Sequence, residues 1–227
     1  MHPLLTIATL VLAVCVAGPV RADTALQQLL ADSARTPVVG FERTTRRLVA
    51  ERNAATLVVD RFVPTSAKDG KWTLVAVDGR RPTTDEAKAH LKSDLVSVIP
   101  GFHRLHIVLG TPPTSRSEAG GRSTYRWASL PKGAVETPGG DISTNLSAEA
   151  IVDTVNGRPL IAQVRIFASR PFTLKGIARM NVFDVTSRYR LDADNRPVLT
   201  SQTSISDVKA PFGLGGKRHR QFEFRSL

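Results

Sequence analysis

Residues 171–208 read PFTLKGIARMNVFDVTSRYRL (171–191), DADNRP (192–197) and VLTSQTSISDV (198–208). Apolar and polar residues mostly alternate through the two long arms, and turn formers join them. Strand side chains repeat every two residues, so this is the pattern of two antiparallel strands. The alternation changes phase once. Leu174, Ala178, Met180 and Val182 are apolar at even positions, whereas Phe183, Val185, Tyr189 and Leu191 are apolar at odd ones. One extra residue moves every later side chain to the other face, so a bulge or sharp bend is expected near Asn181. A long, bent antiparallel hairpin implies a curved sheet with an inside.

The neighbouring sequence extends the sheet in both directions. Before the hairpin, Leu160, Ala162, Val164, Ile166 and Ala168 form an apolar stripe, continued by Leu174, Ala178, Met180 and Val182. Further strands are expected over 38–50, 56–63, 71–77, 102–109, 123–130 and 148–155, with a last one around 220–225. In the 102–109 strand, Leu105, Ile107 and Leu109 align. The Pro-, Ser- and Gly-rich segments 111–122 and 131–145 read as loops. Asp78-Gly79-Arg80-Arg81-Pro82, Asn156-Gly157-Arg158-Pro159 and Asp194-Asn195-Arg196-Pro197 repeat one turn cassette, whose Asp, Asn and Gly tolerate the positive φ of tight turns. These are corners of a meander.

Two helices interrupt the strands. Thr24–Ala34 carries Leu29 and Leu30 on one side and can be capped by Asp23 or Thr24. Thr83-Thr84-Asp85-Glu86 has capping-box spacing, followed by Ala87, Leu91 and Leu95 at four-residue steps.

Leu4–Val16 has the length of a secretory h-region, and Val20-Arg21-Ala22 offers small residues where a signal peptidase reads. Residues 1–22 are therefore expected to be a cleaved signal peptide and 23–227 a single domain. Val14 precedes Cys15 where a lipoprotein signal wants a small residue, which argues against lipidation there. If Cys15 leaves with the signal peptide, an exported chain without cysteine remains, and that suits a bacterial periplasm. No later stretch is long and apolar enough for a transmembrane helix, so an integral membrane protein is not expected.

The chain has 31 Lys and Arg against 20 Asp and Glu, a formal net charge of +11 that falls to +10 without Arg21. Such a charge favours anionic partners. With two Tyr, two Trp and nine Phe, the sequence offers no basic-aromatic platform for single-stranded nucleic acid. An outer-membrane barrel is excluded by strand faces broken by Arg, Asp and Gln.

Catalytic and metal signatures are missing. There is no Gly-x-Ser-x-Gly elbow and no evident nucleophile–base pair, and Gly213-Leu214-Gly215-Gly216-Lys217 lacks phosphate-loop spacing. On the expected strand, His103 and His106 point to opposite faces, so no zinc site is read from them. Neither enzymatic activity nor a cofactor is expected.

Gly40-Phe41-Glu42-Arg43, the run Trp72–Thr83, Lys175-Gly176-Ile177-Ala178, Tyr189–Pro197 and Leu214-Gly215-Gly216-Lys217 together resemble periplasmic proteins related to the LolA lipoprotein-sorting carriers. The resemblance implies a mainly β (α+β) fold: a curved antiparallel sheet forming an incomplete barrel, with a few helices covering its concave face. It also implies a ligand class, lipid or lipoprotein acyl chains sheltered in an apolar cavity. On that reading Leu160, Val164, Ile166, Leu174, Met180 and Val182 would line the cavity, and Arg43, Arg46 and Arg47 would lie near anionic headgroups. The alternative is an envelope protein-interaction module, a sensor or assembly factor with no lipid ligand.

Overall fold

A computed structural model of the chain describes residues 23–49, 54–65, 70–96, 98–137, 139–211 and 215–227. The expected signal peptide with Cys15, Pro138 of the expected 131–145 loop and Gly213-Leu214 lie outside the described residues. Among the described residues no helix is long and apolar enough to cross a membrane.

The strands are β1 (Phe41–Val49), β2 (Ala54–Pro64), β3 (Gly70–Val77), β4 (Ser115–Ala119), β5 (Arg122–Trp127), β6 (Glu136–Thr137), β7 (Gly140–Asp141), β8 (Ser147–Val155), β9 (Arg158–Phe167), β10 (Phe172–Leu174), β11 (Ala178–Leu191), β12 (Pro197–Lys209) and β13 (Gly215–Ser226). Eleven of them form one antiparallel sheet in the order β3-β2-β1-β13-β12-β11-β9-β8-β5-β4, with β10 hydrogen-bonded to β11. The carboxy-terminal β13 joins the amino-terminal β1–β3 to the meander of β8–β12. β3 and β4 do not pair, so the sheet is a curved, incomplete barrel. Helices α1 (Thr24–Arg35) and α2 (Thr84–Leu91) flank it, and a 3-10 turn over Phe102–Arg104 runs directly into the short α3 (Leu105–Val108).

The phase change at Asn181 is real. Met180 pairs with Val208 and Val182 with Asp207, which leaves Asn181 as the extra residue. Three more register shifts bend the sheet: at Thr200 in β12, at Ala162 in β9 and at Val75 in β3. The Ala162 shift breaks the expected stripe, because Ile161 and Val164 are both buried while Ala162 is the residue left over.

Other expectations change for physical reasons. The arm 171–191 is two strands, because Lys175 and Gly176 adopt positive φ (44° and 74°) and fold β10 back on β11. Segment 111–122 contains β4, which turns into β5 through Gly120-Gly121 (φ 58° and 76°). The last strand is twice the expected length. Segment 102–109 is helical: Phe102, Leu105, Val108 and Leu109 are buried at three- and four-residue spacing, while Ile107 is exposed. His103 and His106 are thus not on opposite faces of a strand.

Both expected helices form, and their caps follow from sequence. The Asp23 carboxylate accepts from the amides of Ala25 and Leu26, and Leu26 and Leu29 are buried. In α2 the Glu86 amide donates to Thr83 Oγ1 (3.2 Å) while the Thr83 amide donates to Glu86 Oε2 (2.8 Å). The expected apolar face of α2 is absent, since Leu91 is exposed and His90 is the residue it buries.

That histidine reaches a buried charge cluster. The Arg43 guanidinium (β1) donates to the Asp60 carboxylate (β2) through Nε (3.0 Å) and Nη2 (2.6 Å), and His90 Nε2 lies 3.0 Å from Asp60 Oδ2. Arg43 is 4% exposed and Asp60 0%. The guanidinium also stacks 4.5 Å from the Trp72 ring centroid, beside an aromatic group of Phe41, Phe62 and Phe224. Removing one partner of a buried ion pair strands the other charge. Asp60→Asn is therefore expected to lower unfolding free energy in urea titrations by about 3–5 kcal/mol. Arg43→Met combined with Asp60→Leu is expected to recover most of that loss.

Candidate functional site

The concave face of the sheet and residues 95 and 98–108 line an open cavity of about 310 Å3. Its floor is set by register. Ile166 on β9 lies opposite Val185 on β11, Val185 opposite Ser204 on β12, and Ser204 opposite Arg220 on β13. All four line the cavity. Adjacent strands lie roughly 4.8 Å apart, so this row runs from apolar to cationic over roughly 14 Å. A second row, from Val164 through Ser187 and Gln202 to Phe222, lies beside it.

The roof comes from the connection between α2 and β4, where Leu105 and Val108 share one face of α3. Leu95, Val98, Leu105 and Val108 line the cavity, as do Ala134 and Val135. Arg104, from the same 3-10 turn as Phe102, also lines the space. The Phe102 ring meets Tyr189 edge-on at 5.6 Å.

Gln202 Nε2 donates to Ser187 Oγ at 3.0 Å. Burial pushes the Tyr189 hydroxyl up to about 12, against the opposing pull of its hydrogen bond with Ser187 and of the Arg104 charge. Burial lowers the Arg104 guanidinium below its ordinary value, while Tyr189 and Glu136 nearby favour its charged form. The adjacent His103 is turned elsewhere. It lines a smaller cleft of about 110 Å3 with Phe41, Pro100 and Phe224, on the other side of the 100–101 backbone.

The residues singled out from sequence are dispersed. Val164 and Ile166 line the cavity; Leu160 and Met180 are buried away from it. Leu174 is half-buried in the β10 hairpin beside Gly139. Val182 is 41% exposed, because the Asn181 bulge places it outside and Phe183 inside. Arg43 reaches the cavity but is committed to Asp60. Arg46 is exposed on the opposite face of β1, and Arg47 is partly buried across from Arg220. Arg43 and Arg46 thus cannot meet one headgroup.

Sequence reading missed Arg104, Arg220, Gln202 and Ser204. The odd-position apolar set Phe183, Val185 and Tyr189 did signal the inner face of β11. Arg104 was hidden by reading its segment as a strand. Among the described residues, no three His, Cys, Asp or Glu side chains gather to hold a metal ion.

No family profile and no curated protein matches the sequence. In structure, the chain is similar to LolA superfamily protein NE2245 from Nitrosomonas europaea. The two share 13% sequence identity over 90% of this chain and 92% of that one, with a TM-score of 0.45.

The roof carries one pH-dependent prediction. Burial holds the His103 imidazole down, to about 4, and Arg104 and His106 beside it add to the effect. The unfolded chain takes up a proton near pH 6.5 that the folded chain refuses until about pH 4. Stability is thus complete above pH 6.5 and declines as pH falls through that window. His103→Gln is expected to flatten this decline in urea midpoints, and the His103 ring protons should titrate near 4 by NMR.

Proposed function

We propose that this chain is an exported, periplasmic carrier that holds lipid or lipoprotein acyl chains against its concave sheet, without catalysis. The observation that carries the reading is the cavity: its volume falls at the lower end of the roughly 300–1,000 Å3 typical of small-molecule sites. The apolar end, from Ile166 and Val185 to Leu105 and Val108, offers a surface for methylenes. Each methylene taken from water contributes about 0.8 kcal/mol, so partial insertion of one chain stabilises a complex.

Export is supported by the apolar run Leu4–Val16 followed by Val20-Arg21-Ala22. The lack of catalysis is supported by the lining chemistry. The Ser187 hydroxyl accepts from Gln202, and neither His103 nor His106 lines the cavity to serve as its base.

Native mass spectrometry of gently purified protein is expected to show copurified acyl species, or rebinding of them after delipidation. Absence of both would sink the carrier reading. Val185→Trp fills the apolar end, and its expected effect is at least a tenfold loss of acyl affinity with an unchanged circular dichroism spectrum.

A further inference from the structure

The outer face of the sheet carries a patch that plays no part in the cavity. Side chains alternate along β12, and Ser204 lines the cavity, so Ile205, Asp207 and Lys209 lie on the opposite, outer face. Register adds their neighbours on that face. Lys209 pairs with Arg179, Asp207 with Val182 and Ile205 with Asp184 on β11, and Asp207 pairs with Lys217 on β13. Beyond them, in the turn between β10 and β11, stands Ile177. At 72% it is the most exposed large apolar side chain among the described residues, and Val182 and Ile205 are each 41% exposed.

Charge on this patch is one-sided. The Asp184 carboxylate is paired with Arg165 at 2.6 Å. Asp207 accepts from Asn181 Nδ2 at 3.3 Å. Lys175 lies across Gly140 of the β6–β7 hairpin, whose Asp141 accepts from Gly133 and Ser143. Against Asp207 stand four exposed cations, Lys175, Arg179, Lys209 and Lys217. The sequence Lys175-Gly176-Ile177-Ala178-Arg179 sets a cation two residues to either side of Ile177, and positive φ at Lys175 and Gly176 makes the turn that carries it.

We propose that this end of the outer face docks on an anionic phospholipid bilayer. Ile177 enters the boundary between headgroups and acyl chains, with Val182 and Ile205 behind it, while Lys175, Arg179, Lys209 and Lys217 meet lipid phosphates. Long cationic side chains suit this, because their stems follow the apolar groups inward while their heads stay at the phosphates. An acidic protein would match the charge equally. Ile177 favours lipid, since a side chain at a turn penetrates a fluid surface without needing a shaped counterpart.

Cosedimentation with vesicles of phosphatidylcholine, alone or mixed with phosphatidylglycerol, tests the docking face. Affinity for the anionic vesicles is expected to be at least tenfold higher, and to fall with added salt. Lys209→Glu with Lys217→Glu is expected to lower it at least tenfold, and Ile177→Ser at least threefold. Lys71→Glu with Lys88→Glu makes the same charge change on β3 and on α2, which packs against β3, three strands from β13; it is expected to leave affinity within twofold. Val185→Trp fills the cavity and is expected to leave vesicle binding unchanged, which separates this inference from the carrier reading. Equal binding to both vesicle types, or equal losses from the two charge reversals, would overturn the docking face. Loss of binding in Val185→Trp would overturn it by moving lipid contact to the cavity. No binding to either vesicle would overturn it and leave the patch to an acidic protein. The comparison of vesicles needs no variant, so a folding defect in one of them does not blunt it.

Discussion

A strand can present a given side chain to only one face, and an extra residue is what resets the choice. Everything that makes this sheet a container follows from that constraint. Without Asn181 the two faces would exchange from there on, Val182 turning inward and Phe183 and Val185 outward, and the floor of the cavity would be lost. The shift at Thr200 lets Leu199 and Gln202 both face in, three residues apart, which keeps them opposite Tyr189 and Ser187. The shift at Ala162 does the same for Ile161 and Val164. Each costs a ladder hydrogen bond and each adds bend, so curvature and inner-face chemistry are set by the same residues.

The bent sheet needs ties to its cover, and a buried charge supplies one of them. Asp60 is hydrogen-bonded to Arg43 in the sheet, and His90 of α2 lies against the same carboxylate, with Nε2 3.0 Å from Oδ2. Such a cluster adds little net stability over an apolar replacement, since desolvation offsets its attraction. Its contribution is geometric. The one residue that α2 buries, His90, is set against this cluster, so the helix meets the sheet at Asp60. The main core lies further along, where Leu26, Leu29, Leu105 and Val108 pack over Trp127, Ala150 and Ile161.

Local signals read directly from sequence were those with a short-range cause. The Thr83–Glu86 capping box, the Asp23 cap, the Asn156-Gly157 and Asp194-Asn195 corners and the Asn181 bulge each depend on neighbours a few residues away. Misreadings arose where two periods fit the same residues. Phe102–Leu109 satisfies alternation through Leu105, Ile107 and Leu109, and satisfies a helix through Phe102, Leu105 and Leu109. Burial against α1 and β12 decides for the helix, and that is a tertiary fact. The polar end of the cavity was illegible for a related reason. Ser204 and Arg220 are ordinary residues in their own strands, and only pairing of β12 with β13 puts them in one row with Val185.

The two unpaired edges bear on which kind of partner the fold suits. An exposed edge invites strand addition unless it is short, charged or covered. β4 is five residues long, fully exposed, and carries Arg116 paired with both Asp23 and Glu118. β3 is longer, but its last residues are interrupted by the Val75 register shift, and Pro82, Thr83 and Ala87 lie beside Leu74 and Val75. Neither edge offers a long, regular ladder to a second chain. What the unclosed sheet leaves in place is its concave interior, lined on the other side by Leu95, Leu105 and Val108. A barrel completed by pairing β3 to β4 would tighten around the side chains of its own core. Left open, it keeps the cavity that Ile166, Val185, Ser204 and Arg220 line.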